Sequence, residues 1–314
     1  MSAKIIPWRR GATLHQAAPM VAVIGNFDGV HKGHQHLIAT AKSLADELSL
    51  PLGMVTFAPH PRSFFRPQDP PFLLMDQVQK QQVLFDCGAS IIIEIAFDDE
   101  LRTASPEAFA QEILKPLNIV HLFAGEDFAF GRARAGSLEI LAELGAAFDM
   151  RVSPVSLVLD ANHMVISSSR IRAALQAGQV TLASEMLSRP FALSGRVLQG
   201  DKRGRTIGFP TANIALTDQL HPAFGVYAIG AKIGEGHDVR YCDGVANIGI
   251  RPTVNDRGVL AEAHLFDFQD DIYGQRIEIA LQGYVRAEMK FENLDALRAQ
   301  IQKDTQTAKD LLAE

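Results

Sequence analysis

GNFDGVHKGH, residues 25–34, lies where a short apolar strand, Val21–Ile24, gives way to a helical pattern over Gly33–Leu48. Ligands of parallel α/β sheets bind at junctions of this kind, beyond the carboxyl ends of the strands. The first turn of a helix also offers free N–H groups and a positive dipole end, which suit phosphate. The stretch therefore predicts a phosphate-binding corner at the edge of a parallel sheet.

Strand and helix patterns alternate after this corner. Ser105 is the expected N-cap of a helix, because its hydroxyl can accept from a free backbone N–H. Alternation of this kind is typical of an α/β, Rossmann-like domain, a parallel sheet with helices on both faces. Further strands are predicted at 53–57, 90–94, 121–124 and 151–155, and helices at 76–86, 106–117, 137–148, 168–177 and 180–187.

The pattern changes after Arg189-Pro190. Short strands and glycine-rich turns without intervening helices predict an antiparallel β-barrel, followed by a terminal helix at 294–311. The expected domains are residues 1–187 and 188–314. The strands of the second are predicted at 193–198, 225–232, 240–248, 261–268 and 276–284.

Composition and charge argue against a nucleic-acid coat protein, a membrane protein and a secreted protein. The chain has 314 residues and a net charge of −6, which argues against coating a nucleic acid, because that needs clustered lysine and arginine. No apolar run approaches the roughly 20 residues of a membrane helix. Met1–Gly11 has no apolar core of a signal peptide, and Cys87 and Cys242 stand far apart, as reduced thiols of a cytoplasmic protein do. We expect no nucleic-acid or membrane partner; the oligomeric state stays open.

His31 and His34 are the candidate catalytic residues of the corner. Three positions apart on a helix, they share one face, and Gly33 between them leaves room for a nucleotide. Two imidazoles can donate hydrogen bonds to charge that develops on an α-phosphate. A zinc site is the alternative, but the sequence shows no evident third ligand.

The His-x-Gly-His unit resembles the nucleotidyltransferase superfamily, whose members transfer AMP or CMP onto phosphate groups. The whole string, from Gly25 to His34, resembles the FMN adenylyltransferase module of the bacterial riboflavin kinase/FAD synthetase family. The resemblance implies that His31 and His34 are catalytic. It also implies that ATP is bound by Gly25, Phe27, Asp28 and Gly33.

ISSSRIR, residues 166–172, precedes the predicted helix at 168–177. By itself it is a serine N-cap followed by basic residues. It resembles the Ile-Ser-Ser-Thr-x-Ile-Arg motif of the same family, with Ser169 where threonine is usual. The resemblance implies that Ser168 and Ser169 bind phosphate and that Arg172 holds the pyrophosphate leaving group.

Two loops resemble flavin-binding segments of the family, with ordinary loop packing as the alternative. TFAPHPR, residues 56–62, is similar to Phe-x-Pro-His-Pro-Arg and implies flavin contacts by His60, Pro61 and Arg62. GEDFAFG, residues 125–131, is similar to Gly-x-Asp-Phe-Arg-Phe-Gly and implies a contact by Asp127. Ala129 stands where the family has arginine, a contact that Arg132 or Arg134 could replace.

GRVLQGDKRGRTIGFPTAN, residues 195–213, joins glycines with basic side chains, a composition suited to a polyphosphate. An exposed hairpin is the alternative. Thr211 and Asn213, two apart on an extended segment, point the same way and offer oxygen ligands of the kind Mg²⁺ accepts. The candidate ATP-binding residues of the string are Gly200, Lys202, Gly204, Arg205 and Gly208.

This string resembles the signature of riboflavin kinases, in which the threonine and asparagine hold Mg-ATP. AEAHLFDF, residues 261–268, resembles the kinase segment whose glutamate is the base, which implies that role for Glu262. YVRAEMKF, residues 284–291, resembles the segment beside the flavin and implies a contact by Arg286. An exposed strand charge is the alternative for Arg286.

The resemblance implies two reactions, each with ATP and Mg²⁺: riboflavin to FMN in the second domain, and FMN to FAD with release of pyrophosphate in the first. The sequence has neither a Gly-x4-Gly-Lys-Ser/Thr loop nor a Gly-x-Gly-x-x-Gly fingerprint. Two alternatives remain open. One is a nucleotidyltransferase for another acceptor with a regulatory flavin-binding barrel, and the other is a sensor without activity.

Overall fold

The computed structural model describes residues 3–12, 18–199, 209–236, 238–250 and 258–313. The chain divides into two compact units. The first contains Met1–Asp69 and Gln77–Ile166, and the second contains Pro70–Asp76 and Ser167–Glu314. A short segment from the first half of the sequence therefore packs within the second unit.

A six-stranded, wholly parallel sheet forms the centre of the first unit, with strand order β1-β4-β3-β2-β5-β6. The predicted fold class of this half is confirmed. Strand β2 lies inside the sheet, so its carboxyl end opens at the edge where β3 and β5 also end. The strands are β1 (Lys4–Trp8), β2 (Met20–Ile24), β3 (Leu52–Ala58), β4 (Ile91–Ala96), β5 (Ile119–Gly125) and β6 (Arg151–Val155).

In the described part of the first unit, six α-helices lie between these strands. Ser105 caps one of them as predicted, accepting from Ala108 N at 3.2 Å. That helix is irregular, because α5 continues as a π-helical turn, Phe109–Leu114, and a 3₁₀ turn, Lys115–Leu117. The helices are α1 (Lys32–Glu47), α2 (Pro61–Phe65), α3 (Gln77–Asp86), α4 (Asp99–Arg102), α5 (Pro106–Ala108) and α6 (Leu138–Ala146).

Burial on both faces explains why β2 is apolar throughout. Ala22 and Ile24 pack in a cluster with Phe109 and Ile113 of the irregular helix. The alternate residue Val23 is equally buried, and α1 packs against the strand. Each buried aliphatic side chain contributes about 1.5–3 kcal/mol. The end of β2, and the turn that follows it, are thereby fixed in the core.

The second unit is built on a six-stranded antiparallel sheet with order β7-β12-β9-β10-β11-β8. A bridge between Leu198 and Asn213 nearly closes it into the predicted barrel. The strands are β7 (Phe191–Arg196), β8 (Ala212–Ala215), β9 (Gly225–Ile233), β10 (Arg240–Ile250), β11 (Val259–Leu265) and β12 (Arg276–Arg286).

Among the described residues of the second unit, three α-helices accompany the barrel. The terminal helix α9 (Leu294–Ala313) packs on β9, β10 and β12, with Ala308 against Val226 and Val245. Helices α7 (Ser168–Gln176) and α8 (Val180–Leu187) pack on each other, and α8 contacts β7 and β12. These two helices lie in the second compact unit although they precede the predicted boundary at residue 187. That boundary, as a division between two activities, stays a prediction.

The segment Pro70–Asp76 is anchored to the barrel unit by backbone and side-chain bonds. Leu73 pairs with the chain around Gln219, donating to Asp218 O at 3.3 Å and accepting from Leu220 N at 2.8 Å. Asp76 accepts from Arg276 Nη2 at 2.5 Å and from Ser194 Oγ at 2.6 Å. The middle and the C-terminal end of the segment are therefore held within the second unit.

Among the strands and α-helices of the described residues, β1, β8, α2 and α4 were not predicted. Strand β1 contains Pro7, a residue that argues against an inner strand. In the structure β1 is an edge strand paired with β4, where proline is tolerated. The remaining three are five residues long or shorter, too short for a periodic pattern.

Candidate active sites

His31 caps helix α1. Its Nδ1 accepts from the backbone N–H groups of Gly33 and His34 at 3.2 and 3.4 Å. Because Nδ1 is an acceptor, the neutral ring carries its proton on Nε2. The cap therefore leaves Nε2–H as the hydrogen-bond donor of the His31 ring.

The rings of His31 and His34 are stacked, with centroids 3.8 Å apart and planes inclined by 20°. The edge contact of Phe27 with His34, 5.4 Å between centroids, supports the pair from one side. The structure thus brings together the two histidines that the helical spacing predicted. They present neighbouring imidazoles at the carboxyl end of β2.

The turn before α1 has an unusual backbone. Phe27, Gly29 and Val30 have φ values of 52°, 84° and 39°. A left-handed conformation costs a side-chain-bearing residue roughly 1–2 kcal/mol. Phe27 and Val30 are fully buried, which contributes about 1.5–3 kcal/mol each and offsets that cost. Burial therefore stabilises the strained turn that carries His31.

Gly33 is needed for a reason that the sequence did not suggest. A Cβ at this position would lie 3.0–3.1 Å from Cε1 and Nδ1 of His31 and 3.6 Å from the carbonyl oxygen of Ile166. A methyl group would press on the capping imidazole. Gly33 thus maintains the position of His31.

The buried ammonium of Lys80, which the sequence analysis missed, lies near the turn before α1. Lys80 Nζ lies 3.4 Å from Thr56 Oγ1, and Thr56 Oγ1 donates to Asn26 O at 3.4 Å. Asp28 and Glu94 interact electrostatically with the same ammonium. A possible signal was the polar character of helix α3, QVQKQQVLFD, which buries Gln79 and Lys80 together with Leu84.

The predicted flavin contacts of the first unit lie around α2. His60 caps this helix, accepting from Arg62 N at 3.1 Å, and Pro61 occupies its first turn. Arg62 is ion-paired with Asp69 at 3.1 Å. Asp127 lies close beside the end of β5, its Oδ1 3.0 Å from where a Cβ of Gly125 would be.

Aromatic rings accompany these residues. Phe97 makes edge-to-face contacts with Phe57, Phe64 and Phe65, with centroids 5.4–6.0 Å apart. Phe65 is more than half exposed. An exposed ring supported by others can receive a flat ligand, since aromatic groups stack favourably.

Ser168, Ser169 and Arg172 lie in the first turns of α7, in the second unit. Ser167 caps the helix, its Oγ accepting from Arg170 N at 3.4 Å, as the plain capping interpretation predicted. Arg172 Nε donates to Phe72 O at 2.8 Å, and its guanidinium lies 5.2 Å from the centre of the Phe72 ring. The segment Pro70–Asp76 therefore orients Arg172.

Asn213, Glu262 and Asn247 form a row across β8, β11 and β10 of the barrel. Glu262 is the cross-strand partner of Asn213 on one side and of Asn247 on the other. Directly opposed residues point to the same face, with Cβ atoms about 4.5–5.5 Å apart. The predicted base and one predicted metal ligand are thus immediate neighbours.

Asn213 Oδ1 is buried and accepts no hydrogen bond from the residues that the structure describes. Thr211 precedes it by two residues, and the carbonyl just before Thr211, Pro210 O, lies 2.9 Å from His264 Nδ1. An amide oxygen without a protein donor is a suitable ligand for a hard cation. The donor set fits the predicted magnesium site.

Asn247 was missed by sequence reasoning, although an asparagine inside the apolar run VANIGI was a usable signal. Its Nδ2 donates to Glu288 Oε1 at 3.4 Å. The Glu288 carboxylate covers Gly249, where a side chain would collide with it. Asn247 and Glu288 border the predicted base on the side away from Asn213.

Arg286 is bound by the terminal helix. Its guanidinium makes a bidentate ion pair with Asp304, at 2.8 Å from Nε and 2.6 Å from Nη2, and lies 5.8 Å from the centre of the Phe291 ring. Asp304 is only 4% exposed. Arg286 therefore ties β12 to α9 next to the candidate kinase site.

The predicted ATP-binding residues of the glycine-rich string lie outside the described residues. They are Gly200, Lys202, Gly204, Arg205 and Gly208.

Fold and site geometry together define a nucleotide-dependent transferase with two units. One is a nucleotidyltransferase-like parallel sheet with a histidine pair at its carboxyl edge. The other is an antiparallel barrel in which a carboxylate stands beside an oxygen donor.

Sequence comparison identifies both units. The FAD synthetase family model matches residues 13–170, and the riboflavin kinase model matches residues 187–312. Bifunctional riboflavin kinase/FMN adenylyltransferase of Haemophilus influenzae is 40% identical over 288 residues, 91% of this chain and 92% of that protein. The Bacillus subtilis protein of the same name is 38% identical over 301 residues, 93% and 92% of the two chains. The chain belongs to the bifunctional riboflavin kinase/FMN adenylyltransferase family.

A solved structure supports the fold along nearly the whole chain. The protein from Streptococcus pneumoniae named a macrolide-efflux protein has a TM-score of 0.84 and 30% identity, over 97% of this chain and 98% of that one. In the part of the present chain that the structure describes, no helix has the length and apolar character needed to span a membrane.

Proposed function

We propose that His31 and His34 are the catalytic pair of FMN adenylylation and that Glu262 is the base of riboflavin phosphorylation. As a member of its family, the chain phosphorylates riboflavin to FMN in the C-terminal half and adenylylates FMN to FAD, with release of pyrophosphate, in the N-terminal half. The observation that carries the site assignment is the stacked histidine pair that caps α1 at the end of β2.

In the adenylylation, an oxygen of the FMN phosphate attacks the α-phosphorus of ATP, and the bond to the β-phosphate oxygen breaks. Negative charge grows on the α-phosphate oxygens, where hydrogen-bond donors stabilise the transition state more than the ground state. The Nε2–H of His31 and the imidazole of His34 supply such donors. The turn residues Gly25, Phe27, Asp28 and Gly33 are assigned to the nucleotide, since they lie between the carboxyl end of β2 and the first turn of α1, whose positive dipole end suits phosphate.

The pyrophosphate leaves with Ser168, Ser169 and Arg172 as its ligands. Hydroxyls and backbone N–H groups at the start of a helix such as α7 suit phosphate oxygens, and a guanidinium neutralises their charge. The bond from Arg172 to Phe72 O occupies Nε, one of the five donors that the guanidinium offers.

The flavin of FMN binds beside α2. His60, Pro61, Arg62 and Asp127 provide the polar and backbone contacts, and the ring cluster around Phe97 supplies a surface for stacking. This assignment rests on the position of these residues beyond the ends of β3 and β5.

In the phosphorylation, Glu262 accepts the proton of riboflavin's terminal hydroxyl while that oxygen attacks the γ-phosphorus and ADP leaves. Family members use ATP with a divalent metal, and we assign Mg²⁺ here, held by Thr211 and Asn213. When bound, the ion neutralises phosphate charge. Gly200, Lys202, Gly204, Arg205 and Gly208 are assigned to the ATP phosphates, and Arg286 to the flavin.

Separate variants of the two sites test the assignment. The double variant His31→Ala/His34→Ala is expected to stop FAD formation and to leave FMN formation intact, and Glu262→Gln to do the reverse when FMN is supplied. Chromatography of products after incubation with riboflavin or FMN and ATP gives both readouts on each folded protein. Loss of both reactions in either variant would contradict separate sites.

We also propose a cytoplasmic location. Cys87 and Cys242, both among the described residues, form no disulfide, as is usual in a reducing compartment.

A further inference from the structure

Lys80 is a buried cation in helix α3. Its side chain is 8% exposed and reaches the end of β3, where Nζ lies 3.4 Å from the hydroxyl of the fully buried Thr56. That hydroxyl donates in turn to the carbonyl oxygen of Asn26, in the turn that carries His31. A chain of hydrogen bonds therefore connects Lys80 to the catalytic turn.

Two carboxylates hold the charge of Lys80. Burial lowers the pKa of its ammonium, and attraction by Glu94 and Asp28 opposes that shift. Glu94 accepts from the side chains of Gln77 and Gln81, the latter at 2.7 Å. Asp28, 4% exposed, belongs to the turn itself. The ammonium of Lys80 is thus linked to the turn in two ways. It attracts the carboxylate of Asp28, and it is hydrogen-bonded through Thr56 to Asn26.

Stability alone does not explain a lysine at this position. Replacing a buried charge and its partners with apolar groups of similar volume is often neutral or stabilising, and lysine is almost never buried without a specific partner. Perturbed, buried charges concentrate at functional sites. Lys80 lies beside the one turn of this unit that carries both candidate catalytic histidines.

We propose that Lys80 is a positioning residue for adenylyl transfer, which fixes the turn Gly25–His34 through Thr56, Asn26 and Asp28. It keeps the backbone of this turn, and with it the capping imidazole of His31, aimed at the phosphate. The proposal rests on the function proposed for the histidine pair. A displacement of about 1 Å at such a site costs on the order of 10²-fold in rate.

The test compares Lys80→Met, which keeps the volume and removes the charge, with Lys80→Arg, which keeps the charge. Lys80→Met is expected to lower kcat of FAD formation on the order of 10²-fold. KM for ATP and for FMN should change by less than about threefold, because a positioning residue does not touch substrate. Lys80→Arg should recover part of the loss. Riboflavin phosphorylation, measured on the same protein, shows whether the loss is confined to FAD formation, and a thermal melt of the same preparation shows whether the first unit is folded.

Lys42→Met is the matched control. Lys42 lies on α1 in the same unit, is exposed, and pairs with Asp46 at 2.6 Å. Its loss should leave both activities within about twofold. If Lys80→Met does not fold, Thr56→Val breaks the same link without changing charge or volume and should lower kcat in the same selective way.

A double-mutant cycle with Asp28→Asn tests the path. If Lys80 acts through Asp28, the double variant loses less than the product of the two single losses. Three results would overturn the proposal: unchanged kcat in Lys80→Met, a rise in KM for ATP at constant kcat, or full additivity in the cycle. His31→Ala serves as the reference: if it too left FAD formation unchanged, the proposed function of the histidine pair would be wrong instead.

Discussion

Asn213 of β8 and Glu262 of β11 are opposed directly across two hydrogen-bonded strands, so that an amide oxygen stands beside a carboxylate on one face of the barrel. The pairing places the proposed metal ligand next to the proposed base. A phosphoryl group on a metal ion held by Asn213 would therefore lie on the same face of the barrel as the carboxylate that is proposed to deprotonate the attacking hydroxyl.

Asn213→Ala removes a buried oxygen that no described residue uses. We expect the Mg²⁺ concentration for half-maximal riboflavin phosphorylation to rise about tenfold or more, with FAD formation from FMN unchanged. Asn293→Ala is the matched control, because Asn293 only caps α9, accepting from Ala296 N at 2.8 Å. An unaltered Mg²⁺ dependence in Asn213→Ala would remove Asn213 from the metal site.

Gly33→Ala should separate activity from stability in the first unit. The new Cβ would press on the His31 ring at 3.0–3.1 Å, and we expect FAD formation to fall on the order of tenfold or more. Alanine is also the better helix former, by about 1 kcal/mol, so thermal stability should not fall. Activity and melting temperature are measured on one preparation. A fully active variant would mean that the His31 ring can shift without loss of FAD formation.

Asp304→Ala leaves the guanidinium of Arg286 without its buried partner. Breaking such a pair costs about 3–5 kcal/mol, and the side chains here are 19% and 5% exposed. The riboflavin kinase activity should therefore be lost at a lower temperature than in the parent protein, while FAD formation keeps its own inactivation temperature. Asp46→Asn, which breaks the exposed pair with Lys42, should shift neither, and an equal effect of the two changes would contradict this account.

Asp76→Asn weakens the anchor of the segment Pro70–Asp76. The carboxylate binds Arg276 at 2.5 Å and Ser194 at 2.6 Å, and its neutral analogue loses the charge-assisted part of both contacts. We expect faster proteolytic cleavage between residues 66 and 76, read by mass spectrometry of the fragments. Asp69→Asn, whose partner Arg62 is exposed, is the control. Equal cleavage of parent and Asp76→Asn proteins would show that the backbone pairing of Leu73 and the bond from Arg172 to Phe72 O are sufficient to hold the segment.

The sequence by itself determined both architectures and the order of the two units. Short apolar runs such as Val21–Ile24 predict strands because the pattern of apolar residues in a strand is a local feature of the sequence. The same holds for the cap at Ser105 and for the spacing of His31 and His34. The π-helical and 3₁₀ turns after Ala108 could not be predicted from the sequence. A helical pattern of apolar residues does not specify whether each N–H bonds to the carbonyl three, four or five residues before it.

Only the tertiary structure decided which distant residues meet. Lys80 and Asn26, or Asn247 and Glu262, are brought together by strand order and register, which depend on packing across the whole sheet. The placement of Pro70–Asp76 and of α7 and α8 with the barrel likewise follows from long-range burial. Contacts of this kind cannot be predicted from a local pattern, because the two partners are distant in the sequence and neither one's neighbours indicate the other.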